Sequence, residues 1–223
     1  MSERTTIAVL GGTGAEGSGL AFRWALKGHD VIVGSRTADK AIAAAAELNA
    51  LLAQRGSVRG AANADAARDA QIVVLTVPYA AQLPTAQDVR EHLEGKILVD
   101  VTVPLAPPVD RVQLPNGESA VLALQRTLGA GVKVVSAFQN VSATHLKDPD
   151  HVVDCDVLVC GDDRAAREQV IGLARDAGLR ALHAGVLANS AAVEAMTSVL
   201  IAINKHYKVR AAGVRITGLP REG

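Results

Sequence analysis

Short apolar runs alternate along the chain with longer stretches in which apolar positions recur every three or four residues. The runs over 6–10, 31–34, 57–60, 72–77, 96–101, 132–137, 157–160 and 179–182 read as strands, and the stretches over 17–27, 38–55, 80–93, 118–128, 164–177 and 187–207 as helices. Ile72-Val73-Val74-Leu75 is apolar at every position, not at every second one, which implies burial of both strand faces. Strands of that kind belong to a parallel sheet with helices on both sides. The alternation predicts a doubly wound, mostly parallel α/β fold with a small C-terminal α/β extension. Pro104, Pro107, Pro108 and Pro115 fall between the strand over 96–101 and the next helix. A long irregular connection at the carboxyl end of a strand points to a ligand-binding edge. On the last helix Val193, Met196, Leu200, Ile203 and Tyr207 share one face, and Ala192, Ala195, Val199 and Ile201 widen it. Such a helix is expected to be covered on two sides, by its own domain and across the two-fold axis of a homodimer.

The first strand and first helix are joined by Gly12-Thr13-Gly14-Ala15-Glu16-Gly17, a GxGxxG. Alone, that pattern says little. Here it follows Ile7-Ala8-Val9-Leu10, opens a helix and precedes a second strand, as in the βαβ units that bind dinucleotides. Gly12, Gly14 and Gly17 permit the tight turn, the close approach of a pyrophosphate and the packing of helix on sheet, while the helix N-terminus offers unpaired N–H groups. Glu16 is an awkward neighbour for an anion, so its side chain is expected to turn away. A Walker P-loop is excluded, because Ser18-Gly19 follow where Lys and then Ser or Thr are required. On this reading residues 1–145 form a Rossmann dinucleotide-binding domain, and 146–223 a smaller segment completing the acceptor site and the dimer interface.

The second strand selects the dinucleotide. NAD enzymes place a carboxylate at its end for the ribose 2′-hydroxyl, but this chain has Gly34-Ser35-Arg36-Thr37, with Lys40 one turn further. A planar guanidinium, a hydroxyl and an ammonium suit the 2′-phosphate of NADP, beside a helix capped by Thr37. Two cations at a helix N-terminus oppose its dipole, so an anion to be bound explains them better than solvation does.

Composition narrows the partners. Of 223 residues 49% are hydrophobic and 21% charged, and 23 Lys and Arg balance 23 Asp and Glu. A net charge of zero lacks the cation surplus of proteins that bind nucleic acid or anionic membranes. The aromatics are only Phe22, Trp24, Tyr79, Phe138 and Tyr207, too few for a base-stacking platform. Tyr79 and Phe138 fall just beyond strand ends and are expected to border the site. No run approaches the roughly 18 apolar residues of a membrane span, and no leader pattern precedes the first strand. Cys155 and Cys160 do not form a CxxC pair. These features point to a cytoplasmic protein whose partners are small molecules. The zero also hides a local surplus, with Lys205, Lys208, Arg210, Arg215 and Arg221 against Glu222 after Asn204. That surplus suits either an anionic ligand tail or the C-terminal end of the last helix.

Gly11-Gly12-Thr13-Gly14 with Gly19-Leu20-Ala21, Gly34-Ser35-Arg36 with Lys40, Leu75-Thr76-Val77-Pro78, Cys160-Gly161-Asp162-Asp163 and Leu187-Ala188-Asn189-Ser190 with Glu194 occur in order over nearly the whole chain. This ordered set resembles the NADPH-dependent F420 reductases (F420:NADP oxidoreductases), a family that is itself similar to the flavin-reducing domain of certain metalloreductases. The resemblance implies hydride transfer between NADP(H) and the deazaflavin coenzyme F420 as co-substrate. It implies NADP contacts at Thr13, Gly14, Ala15, Glu16, Ser35, Arg36 and Lys40, and further contacts from strand-end loops at Val77, Val103 and Ala143. The chain departs from the archaeal pattern at Gln139, where a His is expected, and from the usual Pro at Val186.

Hydride transfer between two cofactors needs stacked rings more than a protein acid or base, because the cofactors carry the chemistry. The sequence shows no nucleophile elbow, no HExxH and no clustered histidines, and neither a catalytic residue nor a metal site is assigned. Asp100 reads as a structural carboxylate, Asp162 and Asp163 as caps of the following helix, and His145 as the one histidine beside a site-forming loop. The residues leave open a flavin, an imine or another small molecule as acceptor, and also a non-catalytic NADPH-binding sensor.

Overall fold

The computed structural model describes residues 4–219. Its strands are β1 (Thr6–Leu10), β2 (Asp30–Ser35), β3 (Val58–Ala62), β4 (Ile72–Leu75), β5 (Ile97–Asp100), β6 (Lys133–Ser136), β7 (Asp156–Gly161) and β8 (Arg180–Gly185). They form one sheet in the order β3-β2-β1-β4-β5-β6-β7-β8. β1 to β6 are parallel, β7 runs antiparallel to β6, and β8 is parallel to β7. The helices are α1 (Ala15–Lys27), α2 (Ala38–Leu52), α3 (Asn63–Asp69), α4 (Tyr79–Asp88), α5 (Ala120–Leu128), α6 (Arg164–Asp176) and α7 (Ser190–Tyr207). From β1 the chain moves outward through β2 and β3, then returns to start β4 on the other side of β1. That reversal opens a crevice at the carboxyl ends of β1 and β4.

The unbroken apolar runs are buried on both faces. Ile7, Val9, Val33, Val74 and Val99 pack with Leu20, Phe22 and Trp24 of α1 and with Leu48 and Leu52 of α2. Ala8, Leu10, Ile32, Val73, Leu75 and Leu98 pack on the opposite face with Ala66 of α3 and Val121, Leu124 and Leu128 of α5. Each large aliphatic side chain so buried stabilises the fold by about 1.5–3 kcal/mol.

Several local features differ from the sequence expectation. α2 stops at Leu52, and Ala53 and Gln54 adopt φ of 47° and 68°, closing the helix three residues early. α4 carries Pro84 and ends at Asp88, ahead of a separate 3-10 turn over Arg90–His92. α3 was not anticipated, because seven residues with two buried alanines show no apolar period. Asp163 caps α6, accepting from the Ala166 N–H at 2.8 Å, but Asp162 instead accepts from the Leu187 N–H at 3.0 Å. Phe138, expected at the site, has φ 72° and is 1% exposed, with its ring edge-on to Trp24 at 6.0 Å. The positive φ turns the side chain into the core. α7 with its preceding turn, Leu187–Tyr207, is long and apolar enough to cross a membrane, contrary to the reading that no segment approaches that length. Its buried face nevertheless carries Ser190, Glu194 and Ser198 into the fold.

Candidate functional site

The crevice beside β1 is a cleft of about 600 Å³ lined by Gly11, Thr13, Gly14, Ser35, Arg36, Thr37, Lys40, Asn63, Thr76, Val77, Pro78, Ala81 and Thr85. The glycine turn forms its floor. The Gly14 N–H donates to the Gly11 carbonyl at 3.0 Å, and the Ser18 N–H to the Gly14 carbonyl at 2.9 Å. A Cβ on Gly17 would lie 2.8 Å from Gly12 Cα and would also collide with the Thr76 side chain, so only glycine lets α1 start this close to β4. The first N–H groups of α1 have no intrahelical acceptor and are available to an anion over the turn.

At the other end of the cleft Arg36 and Lys40 are exposed and have no ion-pair or hydrogen-bond partner among the described residues. Thr37 stands at the cap position of α2, yet its hydroxyl makes no cap hydrogen bond and faces the same cleft. Ser35, Arg36, Thr37 and Lys40 thus converge as an anion site beside the α2 N-terminus.

Six of the sequence-assigned residues, Thr13, Gly14, Ser35, Arg36, Lys40 and Val77, share this lining. Gly12 and Gly17 are buried beneath the turn, and Ala15 is exposed at the start of α1. Glu16 keeps some exposed surface, but its Oε1 is sealed from solvent without a hydrogen-bond partner, and burial raises its carboxyl to about 8. Val103 and Ala143 lie half-buried on the loops after β5 and β6, outside the cleft lining. Tyr79 lines a separate groove between α4 and α5, with Leu83, Pro84, Ala120 and Leu124. Reading the sequence missed Asn63, Ala81 and Thr85. Asn63 follows directly on β3, and that position after a strand was the available signal.

The strand ends beyond β4 are closed rather than open. Asp100 is fully buried at the end of β5, accepts from the Thr102 N–H at 2.9 Å and from the Gln82 amide, and is pushed up to about 7 by burial. Gln139 donates from Nε2 to the Asp100 main-chain carbonyl at 2.9 Å, while its own main-chain carbonyl accepts from the Thr197 hydroxyl at 2.8 Å. Glu194 of α7 accepts from the Ser119 hydroxyl at 2.6 Å and from the Ala120 N–H at 2.9 Å, capping α5 from outside that helix. Burial raises its carboxyl too, against those hydrogen bonds. Arg23 of α1 donates to the carbonyls of His145, Leu146, Asp148, His151 and Ala177 at 2.8–3.2 Å, fixing the turn that starts at Ala143. His145 stacks on His151, with ring centroids 4.0 Å apart. The C-terminal tail runs alongside: the Ser142 hydroxyl donates to the Arg210 carbonyl at 3.2 Å and the Asp156 N–H to the Val214 carbonyl at 2.7 Å. Lys205 pairs with Asp110 and Arg215 with Asp154, which uses part of the basic surplus; Arg221 and Glu222 lie outside the described residues. No carboxylate, imidazole or thiol lines the cleft among the described residues.

Comparison with known proteins gives a consistent picture. Residues 6–104 match the family model described as NADP oxidoreductase coenzyme F420-dependent. The F420-dependent NADP reductase of Methanocaldococcus jannaschii is 44% identical over 96% of this chain and 98% of the relative. That of Methanothermobacter marburgensis is 43% identical over 96% of this chain and 99% of the relative. A crystal structure from Arthrobacter sp. FB24, provisionally described as an F420-dependent NADP-reductase, superposes with a TM-score of 0.80 at 29% identity, covering 96% of this chain and 99% of that one.

Proposed function

This chain belongs to the family of coenzyme F420-dependent NADP oxidoreductases, and we propose that it moves a hydride between NADP(H) and F420 along the carboxyl edge of its sheet. The observation that carries this reading is one cleft holding both the glycine turn and two unpaired cations. The turn from Gly12 to Gly17, with Thr13, Ala15 and Glu16 between its glycines, receives the pyrophosphate. Ser35, Arg36 and Lys40 hold the 2′-phosphate. Val77, Val103 and Ala143 mark the nicotinamide end. The cofactors supply the redox chemistry themselves: NADPH gives up a hydride, F420 gains that hydride and a solvent proton, and NADP⁺ and reduced F420 result. The protein binds, orients and excludes water, and the aliphatic Val77 and Pro78 suit an uncharged ring.

We assign the acceptor side and a homodimer interface to residues 146–223. In support, Thr197 ties α7 to the loop after β6 and Glu194 ties it to the start of α5, and Val199, Ile203 and Tyr207 leave an exposed apolar face on that helix. A cytoplasmic setting accords with two buried free thiols. The purified protein should oxidise NADPH in the presence of F420 and not in the presence of FMN, followed by cofactor absorbance. Turnover with FMN alone would transfer the reading to a flavin reductase, and turnover with neither would favour a sensor or another small acceptor such as an imine. Light scattering should give the mass of a dimer, and a monomeric mass would remove the interface.

A further inference from the structure

One polar side chain in the wall of the cleft has no place in the scheme above. Asn63, the first residue of α3 directly after β3, lines the cleft with Gly11, Ser35, Arg36 and Lys40. Its Oδ1 is sealed from solvent without a partner, and its amide makes no hydrogen bond among the described residues. A buried amide oxygen left unpaired costs about 1–3 kcal/mol, so packing does not account for this residue. A second feature accommodates it. Gly34 has no positive φ and needs no glycine for its backbone, yet a Cβ there would lie 2.8 Å from Asn63 Oδ1 and 2.8 Å from Leu10 Cδ2. Gly34 is therefore a notch that seats the Asn63 amide directly before the anion-binding Ser35 and Arg36. The Gly34 carbonyl accepts from the Gly11 N–H at 3.1 Å, so this seat also adjoins the glycine turn.

Resting on the reading that NADP occupies this cleft, we propose that Asn63 is a specificity residue for the adenosine end of the dinucleotide. Its amide hydrogen-bonds a hydroxyl of the adenosine ribose, between the pyrophosphate turn and the 2′-phosphate site. With Oδ1 seated against Gly34, the amide N–H is the end offered to the cleft, and a ribose hydroxyl can accept from it.

The test uses 2′,5′-ADP, which carries the phosphorylated adenosine ribose without the nicotinamide, and nicotinamide mononucleotide, which lacks it. Asn63→Ala is expected to weaken 2′,5′-ADP and NADP⁺ about five- to tenfold, the effect of one neutral hydrogen bond. Nicotinamide mononucleotide binding should be unchanged. The melting temperature should be unchanged or higher, since no protein partner is lost. Asn63→Asp fills the same notch with a carboxylate near the phosphates and should weaken 2′,5′-ADP more than Ala does. A 2′,5′-ADP affinity within twofold of wild type in both variants overturns the inference, as does a fall in melting temperature with affinity intact. Arg36→Ala separates the two levels. If it weakens 2′,5′-ADP while the Asn63 variants do not, only the role of Asn63 falls. If none of these variants affects 2′,5′-ADP, the assignment of NADP to the cleft falls as well.

Discussion

Beyond the end of β2 the charged side chains Arg36 and Lys40 are exposed and without a partner among the described residues, whereas around the ends of β5 and β6 Asp100 and Glu194 are buried and hydrogen-bonded within the protein. The same edge of one sheet thus treats charge in two ways. A buried carboxylate that accepts from Ser119, Ala120 and Val121 joins α7 to α5, its hydrogen bonds being made within the protein. Two cations opposing the dipole at the start of α2, without an ion-pair partner among the described residues, carry a cost that a bound anion reverses. The proposed function puts phosphate recognition on the open half of the edge. The closed half holds α5 and α7 together, and the proposed acceptor side rests on it.

The largest expected effect follows on the open half. Arg36→Ala removes an exposed side chain that supports no other residue, so thermal stability should stay within about 0.5 kcal/mol of wild type. NADP⁺ binding, measured by titration, should weaken by about 1.5–3 kcal/mol, the range of a charge-assisted hydrogen bond, while the weaker binding of NAD⁺ should hardly change. Equal losses for the two nucleotides would break the comparison, because Arg36 would then be serving something other than the 2′-phosphate.

How much of this was legible beforehand differs between the same two halves. The glycine turn and Ser35-Arg36 could be placed from spacing alone, because each sits at a strand end beside a helix start. The eight strands were legible too, their apolar runs being short and sharply bounded. Phe138 was placed correctly along the chain but on the wrong side of it: a residue just after a strand can turn either way, and its φ of 72° points it to Trp24. Arg23 was invisible. It lies in the helix between the core residues Phe22 and Trp24, and its carbonyl partners all come from beyond residue 144. Asn63 was hidden for a related reason, since it opens a helix too short to betray itself by periodicity. Local signals are carried by the strand–turn–helix units, and the closed half is built from contacts remote in sequence.

Glu16 stands at the boundary between the halves and sharpens the contrast by a smaller effect. It belongs to the first turn of α1, yet its carboxyl turns inward toward Cys155, whose thiol its charge helps to raise. Burial lifts Glu16 from 4.5 to about 8. The folded protein therefore holds a proton that the unfolded chain releases above its own ordinary value. The contribution to stability is fully present below about 4.5 and is lost as the pH climbs toward about 8. Glu16→Gln keeps the shape and abolishes the titration. The variant and wild type should be equally stable near pH 4.5, and the variant should be more stable by roughly 1–2 kcal/mol at pH 8.5. That is well below the full linkage value, because the residue retains some exposed surface. Paired urea melts across this range give the difference directly. A constant difference at every pH would mean that Glu16 is ionised in the folded protein throughout. In that case solvent or a cation would have to reach the carboxylate, and burial would not be what sets its titration.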